Sequence, residues 1–228
     1  MIWRDRLHVG ACKSTQLLLL DSGLPEGSVA TADHQTAGRG RLGRAWVEAP
    51  GTSVLCSVLL RPPPGRPVQQ LSLVAGLATA QAVDDVTGLA AQIKWPNDVL
   101  VGGRKVAGVL AEASGEAVVV GVGINVNQTE AELPPDARLP AASLRTLTGR
   151  EHDREQVLSA LLARLDACYE AWKAGGIASL HAELAARDFL LGCEVTVGEV
   201  KGIASGVDAE GRLLVGRQAV ESGEVILS

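Results

Sequence analysis

The chain is poor in aromatic and sulfur side chains: 3% of its 228 residues are Phe, Trp or Tyr, and it has one methionine and four cysteines. So few aromatics, not clustered, leave no stacking platform for single-stranded nucleic acid. Positive charge is also short. The formal net charge of -5 excludes the broad basic face of a general nucleic-acid binder. No apolar run approaches the roughly 18 residues of a membrane span, and the start Met1-Ile2-Trp3-Arg4-Asp5 lacks a signal-peptide core, so a cytoplasmic protein is expected. Cys12, Cys56, Cys168 and Cys193 are too widely spaced for a metal knuckle, so they are read as reduced packing residues, with neither zinc nor disulfides.

What is present is a 46% hydrophobic chain, long enough for one large domain with a small appendage. Ser14 or Thr15 can cap a helix through Leu17–Leu20, and Ser28–Ala32 reads as a strand. Thr52–Leu60 reads as a buried strand. Leu71, Val74, Ala78, Ala82 and Val86 recur at helical spacing. Ile93–Trp95, Val99–Val101, Val106–Ala113 and Ala117–Val126 read as a meander of adjacent strands, which implies an antiparallel sheet. Asp153 with Gln156 opens a helix whose apolar positions run from Val157 to Trp172. The segment 130–140 reads as a long surface loop or lid, and short glycine-punctuated strands from Cys193 onward predict a small β-barrel. The expected class is α+β, divided into a large unit over 1–188 and a small unit over 189–228.

Two clusters carry chemistry. Residues 38–44, Gly-Arg-Gly-Arg-Leu-Gly-Arg, have the glycine spacing of a dinucleotide turn, but no helix can follow across Pro50-Gly51 and no ribose-binding acid stands about 20 positions on. What remains is a flexible cationic loop suited to a small anion, expected to be mobile when free and ordered by ligand. The second cluster is Lys94-Trp95-Pro96-Asn97-Asp98 with Arg104-Lys105 beyond a glycine turn. Its two lysines can meet across a hairpin, and Asp98 can cap the turn, orient a lysine or hold Mg²⁺. Trp46 is expected to anchor the loop, and Arg44 has no role on sequence grounds.

These segments, with Ser14-Thr15-Gln16, Gln35-Thr36-Ala37, Val106-Ala107-Gly108 and Gly121-Val122-Gly123-Ile124-Asn125, resemble biotin protein ligases. The resemblance implies a class II synthetase-like, largely antiparallel sheet with flanking helices and a small SH3-like C-terminal barrel. It implies an ATP-dependent ligase that makes biotinyl-5'-AMP and passes biotin to a lysine of the biotin carboxyl carrier protein of acetyl-CoA carboxylase. By resemblance, biotin is held by Ser14, Thr15, Gln16, Gln35, Arg39, Gly40, Arg41 and Lys105. The nucleotide falls to Arg39, Arg41, Lys94, Asn97 and Asn125, and catalysis to Lys105, Arg41, Lys94 and Asp98, with Mg²⁺ on the phosphates. The family's usual residue after Ser-Thr is Asn; Gln16 is a methylene longer. With the first motif at residue 14, a monofunctional ligase without a DNA-binding helix-turn-helix is expected. A homodimer is left open. The rival readings are a lipoate or other acyl-protein ligase of the same fold and, from another class, a nucleic-acid-binding module.

Overall fold

Strand parity explains how this chain builds a core on one side of a sheet and a site on the other. The computed structural model describes residues 3, 6–135 and 139–227; the remainder of the N-terminal start and part of the expected 130–140 loop lie outside them. In order, the elements are β1 (Arg6–Cys12), α1 (Thr15–Leu19), β2 (Val29–Gln35), β3 (Ser53–Leu60), α2 (Leu71–Thr87), β4 (Ala91–Lys94), β5 (Asp98–Val101), β6 (Arg104–Ser114) and β7 (Ala117–Asn125). Then come α3 (Leu144–Thr148), α4 (Arg154–Gly175), α5 (His181–Ala186), β8 (Glu194–Val197), β9 (Val200–Val207), β10 (Leu213–Val215), β11 (Gln218–Val220) and β12 (Val225–Leu227).

The large sheet runs β1-β2-β3-β7-β6-β5-β4, antiparallel except for the parallel pair β1 and β2. Because side chains alternate across a strand, Val118, Val120, Val122 and Ile124 of β7 enter the main core with Val54, Cys56, Val58 and Leu60 of β3. Helices α2 and α4 cover that face. The opposite parity carries Ser57 on β3, Gly121 and Gly123 on β7 and Gly108 on β6, in register as Ser57↔Gly121 and Gly108↔Gly123. Three glycines on one face leave a bare floor. Beside it α1 seals a smaller cluster of Leu19, Ala30, Leu59, Ala117 and Val119.

The second sheet, β11-β10-β9-β8-β12, is antiparallel throughout and supplies the expected small C-terminal β unit. It docks through backbone carbonyls: Trp95 Nε1 donates to Gly211 O at 3.0 Å and Gln70 Nε2 to Glu210 O at 2.8 Å. Residues 187–189 extend the large sheet beyond β4, with Ile93 N donating to Arg187 O and Phe189 N to Ile93 O.

Strand β1 escapes the sequence pattern because it is an edge strand with most residues exposed, so no buried apolar face marks it. The five- and six-residue helices α3 and α5 are likewise too short to show a period. At α4, Asp153 caps by accepting from Glu155 N at 2.9 Å.

Candidate active site

Side chains from distant segments roof the glycine floor. Gln16, 3% exposed, lies on Gly121, where an added Cβ would fall 2.9 Å from its amide carbon. Gln16 Nε2 donates to Leu110 O at 3.0 Å, so its amide is held by the sheet. Trp46 lies over Gly123, where a Cβ would come 2.5 Å from Cε2 of the indole, and also touches Gly108. Ser14 has N-cap backbone geometry, but its hydroxyl makes no cap hydrogen bond to α1. Thr15 N donates to Gln35 Oε1 at 2.8 Å, and the Thr15 and Ser57 hydroxyls lie 2.7 Å apart. These contacts tie α1, β2 and β3 into one polar wall.

The cationic loop leaves β2 at Gln35 and folds back on itself. Gly40 N donates to Arg44 O at 2.8 Å, Trp46 N to Gly38 O at 3.0 Å, and Leu42 takes the left-handed conformation (φ 57) at its exposed tip. Apart from a single 3-10 turn at Arg41–Gly43, the next element is β3 and no α-helix follows, so the fold too excludes a dinucleotide turn. Its arginines diverge. Arg39 pairs with Glu112 on β6, Arg41 donates weakly to Asn97 Oδ1 at 3.3 Å, and Arg44 pairs with Glu224 at 2.6 Å. Arg44 therefore joins the loop to the C-terminal sheet, a partnership separated by 180 positions that leaves no local trace in the sequence. Burial pulls the Arg41 guanidinium below its usual range, with the charge of Asp98 opposing the shift.

Lys94 ends β4 with 8% exposure and donates to Val225 O at 3.1 Å. Burial lowers its pKa first; Asp98 works against that shift and Lys105 adds to it. Lys105 Nζ sits 2.5 Å from Asp98 Oδ1 and 5.9 Å from the centre of the Trp46 ring. Of the three roles open to Asp98, the structure shows the orientation of a lysine. Asn97 Nδ2 donates to Val109 O at 2.8 Å and fixes the turn. Asn125 Nδ2 donates to Ala142 O at 3.0 Å while its Oδ1 accepts from Gln128, which holds the segment after β7.

Every residue to which the resemblance gives a biotin, nucleotide or catalytic role, except Asn125, lines one cavity of about 140 Å³. Asn125 lines a second, of about 890 Å³, with Pro134, Pro135, Leu139 and β12. Lys94, Asp98, Lys105, Arg44, Trp46 and Glu224 belong to both, so the two cavities meet at the lysines. The first is lined by five cations, Arg39, Arg41, Arg44, Lys94 and Lys105, against two carboxylates, Asp98 and Glu224. A chain of net charge -5 thus concentrates positive charge at one point. Glu224, Ser57 and Val225, which sequence reasoning missed, reach the site from other segments. All four cysteines are free, and burial pushes Cys56 and Cys168 up to about 12, which keeps them protonated and unreactive.

A family model described as the biotin/lipoate A/B protein ligase family matches residues 9–128. The chain belongs to that family. As a biotin protein ligase it is 34% identical over 94% of its length to the bifunctional ligase/repressor BirA of Bacillus subtilis, covering 69% of that protein. It is 40% identical to the biotin–acetyl-CoA-carboxylase ligase of Mycobacterium tuberculosis, over 88% of this chain and 79% of that one. The solved biotin protein ligase of Aquifex aeolicus in complex with biotin and ATP superposes with a TM-score of 0.90, at 33% identity and 99% coverage of both chains. Among the described residues, no helix of this ligase is long and apolar enough to cross a membrane, and no group of three metal-binding side chains converges.

Proposed function

We propose that this ligase joins biotin to ATP as biotinyl-5'-AMP and then transfers biotin to a lysine of the biotin carboxyl carrier protein of acetyl-CoA carboxylase. The observation that carries this is the placement of Lys94 and Lys105 where two cavities of unequal size meet. In this reading biotin fills the smaller cavity, against Ser14, Thr15, Gln16, Gln35, Arg39, Gly40, Arg41 and Lys105. ATP fills the larger, toward Asn125, with Arg39, Arg41, Lys94 and Asn97 at the phosphates. A biotin carboxylate oxygen bonds to the α-phosphorus, the bond to the bridging oxygen breaks and pyrophosphate leaves. The carrier amine then attacks the acyl carbon, AMP departs and an amide forms.

Both reactants of the first step are anions. Two unit charges about 4 Å apart repel by about 4 kcal/mol near a protein surface, so fixed cations at the meeting point set the barrier. Lys105, aimed by Asp98, and Lys94, fixed by Val225 O, are held there before substrate arrives. Mg²⁺ does not fit as a protein-ligated ion: the carboxylates lining the smaller cavity are Asp98, taken by Lys105, and Glu224, paired with Arg44. The ion belongs on the ATP phosphates.

Purified protein with ATP and Mg²⁺ should release pyrophosphate with biotin and give no more than background with lipoate. Release with lipoate alone would make it a lipoate ligase, and release with neither, alongside tight DNA binding at low salt, would revive the nucleic-acid reading. Gly123→Ala should raise the biotin KM about tenfold or more, because a methyl driven into a rigid indole costs about 1–3 kcal/mol. An unchanged KM would show that Trp46 can yield without disturbing the cavity.

A further inference from the structure

Glu48 lies outside both cavities, yet its side chain is fully buried. Burying a carboxylate costs several kcal/mol unless its partners compensate. Here compensation is partial. Oε1 sits 2.9 Å from Gln35 N and 3.0 Å from His34 Nδ1, while Oε2 is buried without a hydrogen-bond partner among the described residues. As a carboxylate Glu48 only accepts, so the pairing selects the Nδ1–H form of His34. An apolar side chain of the same size would remove the acceptor that Gln35 N and His34 Nδ1 share.

What Glu48 holds gives it a use. Residues 34 and 35 end β2, and the Gln35 side chain turns from there into the smaller cavity, accepting from Thr15 N and Thr15 Oγ1. The cationic loop begins just after Gln35 and ends just before Glu48, so the Glu48 to Gln35 bond closes a ring whose free part is that loop. Alternation along the second stem turns Trp46 inward, leaves Val47 66% exposed and turns Glu48 inward. A single carboxylate therefore fixes both stems of the loop and the backbone of Gln35.

We infer that Glu48, with His34, is a positioning residue for biotin, acting through the Gln35 amide and the stems of the cationic loop. The inference rests on the biotin reading above. Its test is biotin titration calorimetry, the ATP dependence of pyrophosphate release, and limited trypsin digestion at Arg39, Arg41 and Arg44, on the wild type and on Glu48→Ala and Glu48→Gln. Glu48→Ala should weaken biotin about tenfold or more, leave the KM for ATP within about twofold and speed cleavage in the loop, since the loss of a charged acceptor falls on Gln35 and the stems. Glu48→Gln keeps Oε1 toward both partners and replaces the unpaired oxygen, so it should restore biotin affinity to within about threefold.

Wild-type biotin affinity and wild-type cleavage in Glu48→Ala would overturn the inference, as would equal weakening of biotin and ATP. Should Glu48→Ala fail to fold, Glu48→Asp, which withdraws the acceptor by about one bond length, should give an intermediate biotin loss. Full affinity in that variant would overturn the inference equally. A wild type that takes up no biotin would sink the functional reading instead, while the trypsin rates would still decide whether Glu48 clasps the loop.

Discussion

Lys105→Ala should lower biotin-dependent pyrophosphate exchange by about a thousandfold while the melting temperature stays within a few degrees of wild type. The loss has two sources. A positioned charge disappears from the point where the two anions meet, an effect worth about 10²–10³ in rate when a single preorganised donor is removed. The Asp98 carboxylate, 2.5 Å from Lys105 Nζ, is then left facing the incoming phosphate with less compensation, from Lys94 and Arg41. Asp98 should therefore couple to Lys105: Asp98→Asn in the Lys105→Ala background should recover part of the exchange, because it removes the unbalanced charge. Stability is expected to survive because Lys105 lines the two cavities rather than the packed core, so its loss opens no void among the buried apolar side chains. Near-normal exchange in a folded Lys105→Ala protein would remove this lysine from the mechanism.

The two clusters were legible for a physical reason. Arginines and lysines beside glycines, at the ends of apolar strands, satisfy no packing requirement, and local chemistry alone marks them. The central strands were legible because a buried face imposes period two, and α2 and α4 because their apolar positions recur every three or four residues. Partnership across the fold left no such mark. Glu224 meets Arg44, Val225 meets Lys94 and Glu48 meets His34 through contacts that only the folded sheet creates. The glycines at 108, 121 and 123 stand between these cases: each was visible as a residue, but its meaning depended on register, which put all three on one face under Gln16 and Trp46. Asn125 shows the converse. The motif was visible, but only the structure shows its amide tied to Ala142 O and Gln128, at the wall of the second cavity rather than the first.

Arg41→Gly should turn a selective ligase into a promiscuous one. The intermediate is a reactive mixed anhydride, so selectivity depends on its staying bound until the carrier lysine arrives. Arg41 suits retention: it is half-buried beside the tip of the loop, and among the described residues its guanidinium makes one hydrogen bond, a weak 3.3 Å contact to Asn97, which leaves donors for a ligand. Arg39 and Arg44, by contrast, are engaged by Glu112 and Glu224. Losing a charge-assisted contact worth about 1.5–3 kcal/mol should speed adenylate escape about ten- to a hundredfold. Glycine at 41 also frees the backbone of the turn over Arg41–Gly43 and loosens the lid itself. The variant should still release pyrophosphate, since Lys94 and Lys105 remain, but with carrier and excess albumin both present it should place biotin on albumin in proportion to its surface lysines. Biotin confined to the carrier lysine, with adenylate release unchanged, would mean that the intermediate is held by the floor and lysines rather than by the loop.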